Sequence, residues 1–242
     1  MTNIQSLYGN GCSFTNDDYV NLTLKVPTYL NLISQEFGFQ TTKNAGLPGS
    51  CNRRIIRTTL RDALNLNSST LVLVQLTQLH RTEKSYTPGQ NNSWKMENCP
   101  EEYHESIKAG SSEPLNEKYF ENYVRYYDES AAVTDLATDL IMLTGFLQYK
   151  QIPHLIFSYS PLVNQHTVKK VKDNLLQVEL AKNPNVMNIL SECLTDKLGH
   201  GDWFYDSPPG NRTRLGHLNG AGHALAAKIL QDKLSNLYVG LK

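Results

Sequence analysis

Apolar residues along this chain come in short clusters whose spacing alternates between a period of two and a period near four. Residues 4–8 form a short apolar-leaning run that ends in Gly9-Asn10-Gly11, the pattern of a strand followed by a tight turn. In residues 27–37, Tyr29, Leu30, Leu32, Ile33 and Phe37 recur at three- and four-residue steps, which predicts an amphipathic helix. Pro27 in its first turn and Gly38 beyond its end support those limits. Residues 39–43 predict a second strand, and the loop 44–49 follows it. Residues 52–66 carry Ile55, Ile56, Leu60, Ala63 and Leu64 on one side and read as a helix. Residues 70–76 (TLVLVQL) are nearly all apolar, as expected of a central strand covered on both faces, and 154–159 (HLIFSY) repeat that pattern.

Between those two runs lies a polar stretch, 83–117, with little periodicity. It is too long for an ordinary connection and reads as an excursion or lid over one end of the sheet. A long helical segment, 119–150, comes next, broken or bent near Gly145. Residues 168–181 and 186–194 look helical, 199–216 form a loop rich in Gly and Pro, and 221–237 close the chain as a helix. Strand and helix therefore alternate without an internal repeat. Such alternation implies an α/β domain spanning 1–242, with a central parallel sheet between two helical layers. In sheets of this kind, sites lie where loops leave the carboxyl ends of the strands, and three suspicious loops leave there.

Composition narrows the function classes. Lysine plus arginine equals aspartate plus glutamate at 23 each, so there is no basic field to neutralise phosphates, and nucleic acid is not an expected partner. No apolar run approaches the ~20 residues that cross a bilayer, so no membrane span is expected. The start, MTNIQSLYGNGCSFT, lacks a basic segment followed by an apolar one, and a cytoplasmic product is the expectation. The four cysteines, Cys12, Cys51, Cys99 and Cys193, form no C-x-x-C pair and read as reduced thiols without structural zinc. Cys12 and Cys51 adjoin two of the loops, so a disulfide between them stands as an alternative.

Three blocks carry the candidate chemistry. Gly9-Asn10-Gly11-Cys12-Ser13-Phe14-Thr15 follows the first strand, and its serine can project a hydroxyl where neighbouring amides converge. Read alone, the same turn also fits a serine that only caps the next segment. Asn44 to Asn52 follows the second strand; a glycine there can present an unobstructed amide to an oxyanion, or the stretch is a plain loop with Asn52 capping a helix. Gly216-His217-Leu218-Asn219-Gly220-Ala221-Gly222-His223 precedes the last helix. His217 suits a general base, and His223, further along, a structural role.

Taken together, in this order, the blocks resemble those of the SGNH/GDSL hydrolases. Gly11-Cys12-Ser13-Phe14 is similar to the Gly-Asp-Ser-Leu block, with Cys12 and Phe14 as substitutions. Asn44 to Ser50 is similar to Asn-x-x-x-x-Gly-Asp, and His217 to His223 resembles His-Pro-Asn-x-x-Gly-His with leucine for proline. The likeness is greatest to a branch with Gly-Cys-Ser-Phe-Thr at the start and Arg-x-Glu after the third strand, here Arg81 and Glu83. The resemblance implies a single flavodoxin-like three-layer α/β/α domain that hydrolyses an ester, thioester or acetyl group, on a small-molecule or polysaccharide substrate. Ser13 would be the nucleophile and His217 the base. Ser13, Gly49 and Gln78 would form the oxyanion hole, with no metal or organic cofactor required.

Two positions depart from the family pattern. The block Gly-x-Asn-Asp is here Thr77-Gln78-Leu79-His80, so Gln78 is the only comparable amide. The aspartate expected three residues before the histidine is Arg214, leaving Asp202, Asp206 or a backbone carbonyl to orient the ring. The rival expectation is a module that keeps the scaffold for carbohydrate binding, or for a structural role in a larger assembly such as a virus particle. A nucleotide-binding turn is not expected, because Phe14 stands where a third glycine is needed. The series Tyr119, Phe120, Tyr123, Tyr126 and Tyr127 fits a packed helix face better than a pocket wall. Trp94 and Trp203 are candidates for substrate contact, and Arg81 with Glu83 for an ion pair or an anion contact.

Overall fold

Four parallel strands form the centre of the molecule: β1 (Ser6–Asn10), β2 (Thr41–Asn44), β3 (Thr70–Leu76) and, later in the chain, β6 (His154–Ser158). They lie in the order β2-β1-β3-β6. The structure is a computed structural model that describes residues 4–17, 26–79, 81–85, 94–97, 127–163, 165–198 and 218–238. Two further short strands, β4 (Thr82–Ser85) and β5 (Trp94–Glu97), pair antiparallel within the expected excursion; the rest of 83–117 lies outside the described residues.

The alternating strand pattern accounts for the two helical layers. Leu7, Leu71, Leu73, Leu155 and Phe157 point to one face, where they pack with α1 (Tyr29–Phe37), α6 (Leu194–Leu198) and α7 (Gly220–Leu237). Tyr8, Val72, Val74, Leu76 and Ile156 point to the other. There they meet α2 (Asn52–Ala63), α3 (Glu129–Tyr149), α4 (Gln165–Val171) and α5 (Leu175–Ala181). Both faces of β3 are fully covered, which is why its sequence reads as one continuous apolar run. From β1 the chain crosses to β2 through α1 on one face, then returns past β1 to β3 through α2 on the other. A right-handed crossover that reverses direction must change face in this way. The outcome is the three-layer α/β/α sandwich expected from the alternation.

Local chemistry sets the helix ends. Thr28 caps α1, so Pro27 lies just before the helix and not in its first turn, and Gly38 ends it at φ 65°. Asp128 caps α3, which therefore starts at Glu129 and not at Tyr119 as expected; it runs through Gly145 without a break. By length and composition α3 would suffice to cross a membrane, but Val133, Leu136, Ala137, Leu140, Leu143 and Leu147 are buried in the core. The helix expected over 168–181 is two, α4 and α5, with Asn174 capping the second.

The helix expected over 186–194 is absent. Val186 instead bridges Ile156 in parallel: Ile156 N–H donates to Asn185 O at 2.8 Å and Met187 N–H to Ile156 O at 2.9 Å. The backbone there satisfies the open edge of β6, and this outweighs the helical spacing of its apolar residues.

Candidate active site

The loops that follow β1, β2 and β3 all leave from one edge, as the register requires. Gly9 lies beside Asn44 of β2 and Leu73 of β3, and Asn10 beside Val74. The β1 turn closes with Thr15 N–H and Asn16 N–H both donating to Cys12 O, at 3.0 and 3.2 Å. Ser13 sits within it and is 8% exposed. Gly11 makes the turn sterically feasible. A Cβ there would lie 2.3 Å from Thr15 Oγ1 and 2.7 Å from Gln75 Oε1, and no side chain fits.

Direct bonds draw the second loop onto the first. Leu47 N–H donates to Gly11 O at 3.1 Å, and Asn16 Nδ2 donates to Gly46 O at 2.8 Å. Asn44 Nδ2 donates to Thr15 O, while its own Oδ1 accepts from Gly46 N–H at 2.9 Å. Gly49 therefore belongs to a loop fastened to the serine turn. Its φ of 75° is a conformation that favours glycine, and the space its Cβ would occupy holds no atom within 4 Å. Among the described residues no acceptor meets the Gly49 N–H, so that amide is available to an incoming group.

The end of β3 supplies the third side. Asn52 holds it from both directions: Thr77 N–H donates to Asn52 Oδ1 at 2.7 Å, and Asn52 Nδ2 donates to Thr77 O at 2.8 Å. Asn52 is thus not the cap expected for α2. Cys51 is, with its Sγ accepting from Arg54 N–H at 3.4 Å. Half-buried Gln78 follows Thr77, and its carbonyl accepts from Arg81 N–H at 3.4 Å. Cys12, Cys51 and Cys193 are buried and stand in no disulfide, so the alternative of a Cys12–Cys51 disulfide is set aside. Burial pushes the Cys193 thiol up.

Two features of this edge are not legible from the blocks alone. Gln75 is a lone amide in an apolar strand, completely buried, and its Oε1 accepts from Cys12 N–H at 3.2 Å and Thr15 Oγ1–H at 3.0 Å. Its presence in TLVLVQL is the signal that a polar partner crosses from β1. Phe14 stacks on Tyr159 with ring centroids 3.6 Å apart and an interplanar angle of 19°. Tyr159 directly follows β6, so the serine turn is braced on that side too. Burial, with the nearby Cys12 and Cys193 thiols, pushes the Tyr159 phenol up, and it stays neutral.

The remaining expected site residues divide as follows. Leu218, next to His217, is fully buried, and Asn219 caps α7 by accepting Gly222 N–H at 2.9 Å. His217, Arg214, Asp202, Asp206 and Trp203 lie outside the described residues, as do Tyr119, Phe120, Tyr123 and Tyr126; Tyr127 precedes α3. Trp94 opens β5 and Glu83 lies in β4. His223 is completely buried, and its Nδ1 accepts Tyr29 N–H at 3.3 Å, which fits the structural role expected of it. No cluster of metal-ligating side chains occurs among the described residues.

The fold has clear relatives among solved structures. The chain is similar to TesA, at 11% identity and a TM-score of 0.51, covering 97% of this chain and 100% of that one. It is similar to Axe2, an acetylxylan esterase from Geobacillus stearothermophilus solved as a catalytic mutant, at 9% identity and a TM-score of 0.52, covering 97% and 95%. It is also similar to the psychrotrophic esterase EstA from Pseudoalteromonas sp., solved inhibited by monoethylphosphonate, at 12% identity and a TM-score of 0.50, covering 96% and 98%. No protein-family model matches the chain, and no curated protein matches it in sequence. At these identities the likeness establishes a shared architecture.

Proposed function

We propose that this chain is a serine hydrolase of the SGNH/GDSL type that cleaves an ester or acetyl group, with Ser13 as nucleophile and His217 as base. The observation that carries the reading is the fastening of the Gly46–Leu47 loop to the Ser13 turn. Through Leu47 N–H on Gly11 O, it brings a positive-φ glycine with an available amide to the serine's own loop. Such an arrangement suits acyl transfer, in which a hydroxyl attacks a carbonyl carbon and the carbonyl oxygen becomes an anion that needs donors.

In this mechanism His217 removes the Ser13 Oγ proton as Oγ bonds to the acyl carbon. The amides of Ser13 and Gly49 hold the oxyanion, each contributing about 3 kcal/mol to the barrier. The side-chain amide of Gln78 is the third donor. Collapse expels the alcohol, which takes the proton back from His217. Water then repeats the sequence on the acyl-enzyme and releases the acid. Asp202, Asp206 or a backbone carbonyl orients the imidazole in place of the residue that Arg214 replaces. Axe2 is an acetylxylan esterase and EstA an esterase, so acetylated polysaccharide and small acyl esters are the substrate classes to test first. The chemistry calls for no metal or cofactor.

Arg214 at the expected acid position favours a second reading, a binding module that retains the scaffold. A fluorophosphonate probe separates the two. A hydrolase is labelled in the wild type and not in Ser13→Ala, and His217→Ala slows labelling by about a thousandfold or more. A folded wild type that takes up no label is the binding module.

A further inference from the structure

Thr15 lies at the crossing point of the bonds that hold the serine turn. It is completely buried, and its carbonyl accepts from Asn44 Nδ2. Its hydroxyl donates to Gln75 Oε1 at 3.0 Å and lies 2.6 Å from the Tyr29 hydroxyl. Gln75 Nε2 donates to Leu76 O at 2.6 Å, which sets the amide so that Oε1 faces the turn. An amide oxygen only accepts and a threonine hydroxyl has one proton, so the direction of the chain follows: Tyr29 O–H donates to Thr15 Oγ1, and Thr15 O–H donates to Gln75. Burial pushes the Tyr29 phenol well up and keeps that proton in place at any working pH. Tyr29 also gives its backbone N–H to His223 Nδ1 at 3.3 Å, with the two rings 6.3 Å apart. His223 stands in the first turn of α7, the helix that begins three residues after His217.

We propose that Thr15 is a positioning residue whose hydroxyl, bridging Gln75 and Tyr29, sets the direction of Ser13 and holds the serine turn in register with the start of α7. The inference rests on Ser13 being the nucleophile. β1 and α7 lie far apart in the chain, yet the proposed nucleophile follows one and the proposed base precedes the other. Buried hydrogen bonds on both sides of Tyr29, from its hydroxyl to Thr15 and from its backbone N–H to His223, resist small relative shifts, and an error of about 1 Å in such a pair slows reaction as much as a hundredfold. A network that served stability alone would behave otherwise. Breaking it would reduce the amount of folded protein and leave the reactivity of each folded molecule unchanged.

The test is the rate and final extent of fluorophosphonate labelling at Ser13 in the full chain, for wild type, Thr15→Val, Thr15→Ser and Tyr29→Phe. Thr15→Val keeps shape and loses the hydroxyl; labelling is expected to slow roughly tenfold to a hundredfold yet run to completion. Thr15→Ser restores the hydroxyl and is expected to recover most of the rate. Tyr29→Phe removes only the donating hydroxyl and carries the test if Thr15→Val does not fold. Wild-type rates in Thr15→Val or Tyr29→Phe overturn the inference. So does a Thr15→Ser as slow as the valine variant, or labelling that stops short of completion. Absence of labelling in folded wild type overturns the nucleophile assignment and this inference with it. A labelled wild type with an unaffected Thr15→Val overturns this inference alone.

Discussion

At the scale of single residues, the two glycines of the site are constrained for different reasons, and the difference is measurable. Gly11 has no room: its Cβ would meet Thr15 Oγ1 and Gln75 Oε1 at 2.3 and 2.7 Å. Gly49 has room but a φ of 75°. Gly49→Ala is therefore expected to cost about 1 kcal/mol in backbone strain. Gly11→Ala is expected to cost about 3 kcal/mol through overpacking and to disturb the serine turn as well. Denaturant titration checks the order; equal costs would contradict it. That Ser13, Gly49 and Gln78 lie on the loops after β1, β2 and β3 was legible in the sequence, because the apolar pattern places those strands. Thr15, Gln75 and Asn52 were not, because their partners are set by the parallel register of β1 and β3 and by where α2 begins. No local pattern encodes those distances.

At the scale of elements, Asn10 ties β1 to α2. Asn10 is completely buried, and its Nδ2 donates toward Ile55 O, Thr58 Oγ1 and Thr59 Oγ1 at 3.0, 2.8 and 2.9 Å. Its Oδ1 accepts the Gly11 N–H at 2.9 Å. Asn10→Asp keeps the size and the Gly11 contact but turns a donor into an acceptor against three oxygens. It is expected to destabilise by about 3 kcal/mol or more, relieved at low pH by protonation; a variant within about 0.5 kcal/mol of wild type would refute the role. The apolar pattern identified all four strands of the central sheet and the helices flanking β1, β2 and β3. It failed where helical spacing had a competing use. Val186 and Met187 serve the open edge of β6, and the polar 172–174 stretch lets Asn174 start a new helix. The second failure had a visible signal, an Asp-Asn pair before Leu175 suited to capping.

At the scale of the molecule, the proposed site lies at one end of the sheet and a buried histidine at the other. His154 opens β6 away from the serine turn, buried, with Nδ1 2.9 Å from Ile152 O. Its Nε2 is shut from solvent and has no hydrogen-bond partner, and burial holds its pKa below the usual histidine range. The unfolded chain therefore takes up this proton first as pH falls. Stability from His154 is complete above the ordinary histidine pKa of about 6.5 and is lost as pH drops below it toward the folded value. His154→Gln is expected to flatten the unfolding free energy over that window; an unchanged slope would remove His154 as its source.

The proposed site carries the main claim, that the Ser13 hydroxyl and the His217 imidazole meet although they lie at opposite ends of the chain. The most direct measurement is a crystal structure of the wild-type protein after reaction with a phosphonate inhibitor. The account predicts phosphorus bonded to Ser13 Oγ, its oxygen facing the Gly49 N–H, and a His217 ring nitrogen within about 3 Å of the serine oxygen. An unmodified Ser13, or an adduct with His217 turned away on another side of the sheet, would contradict it.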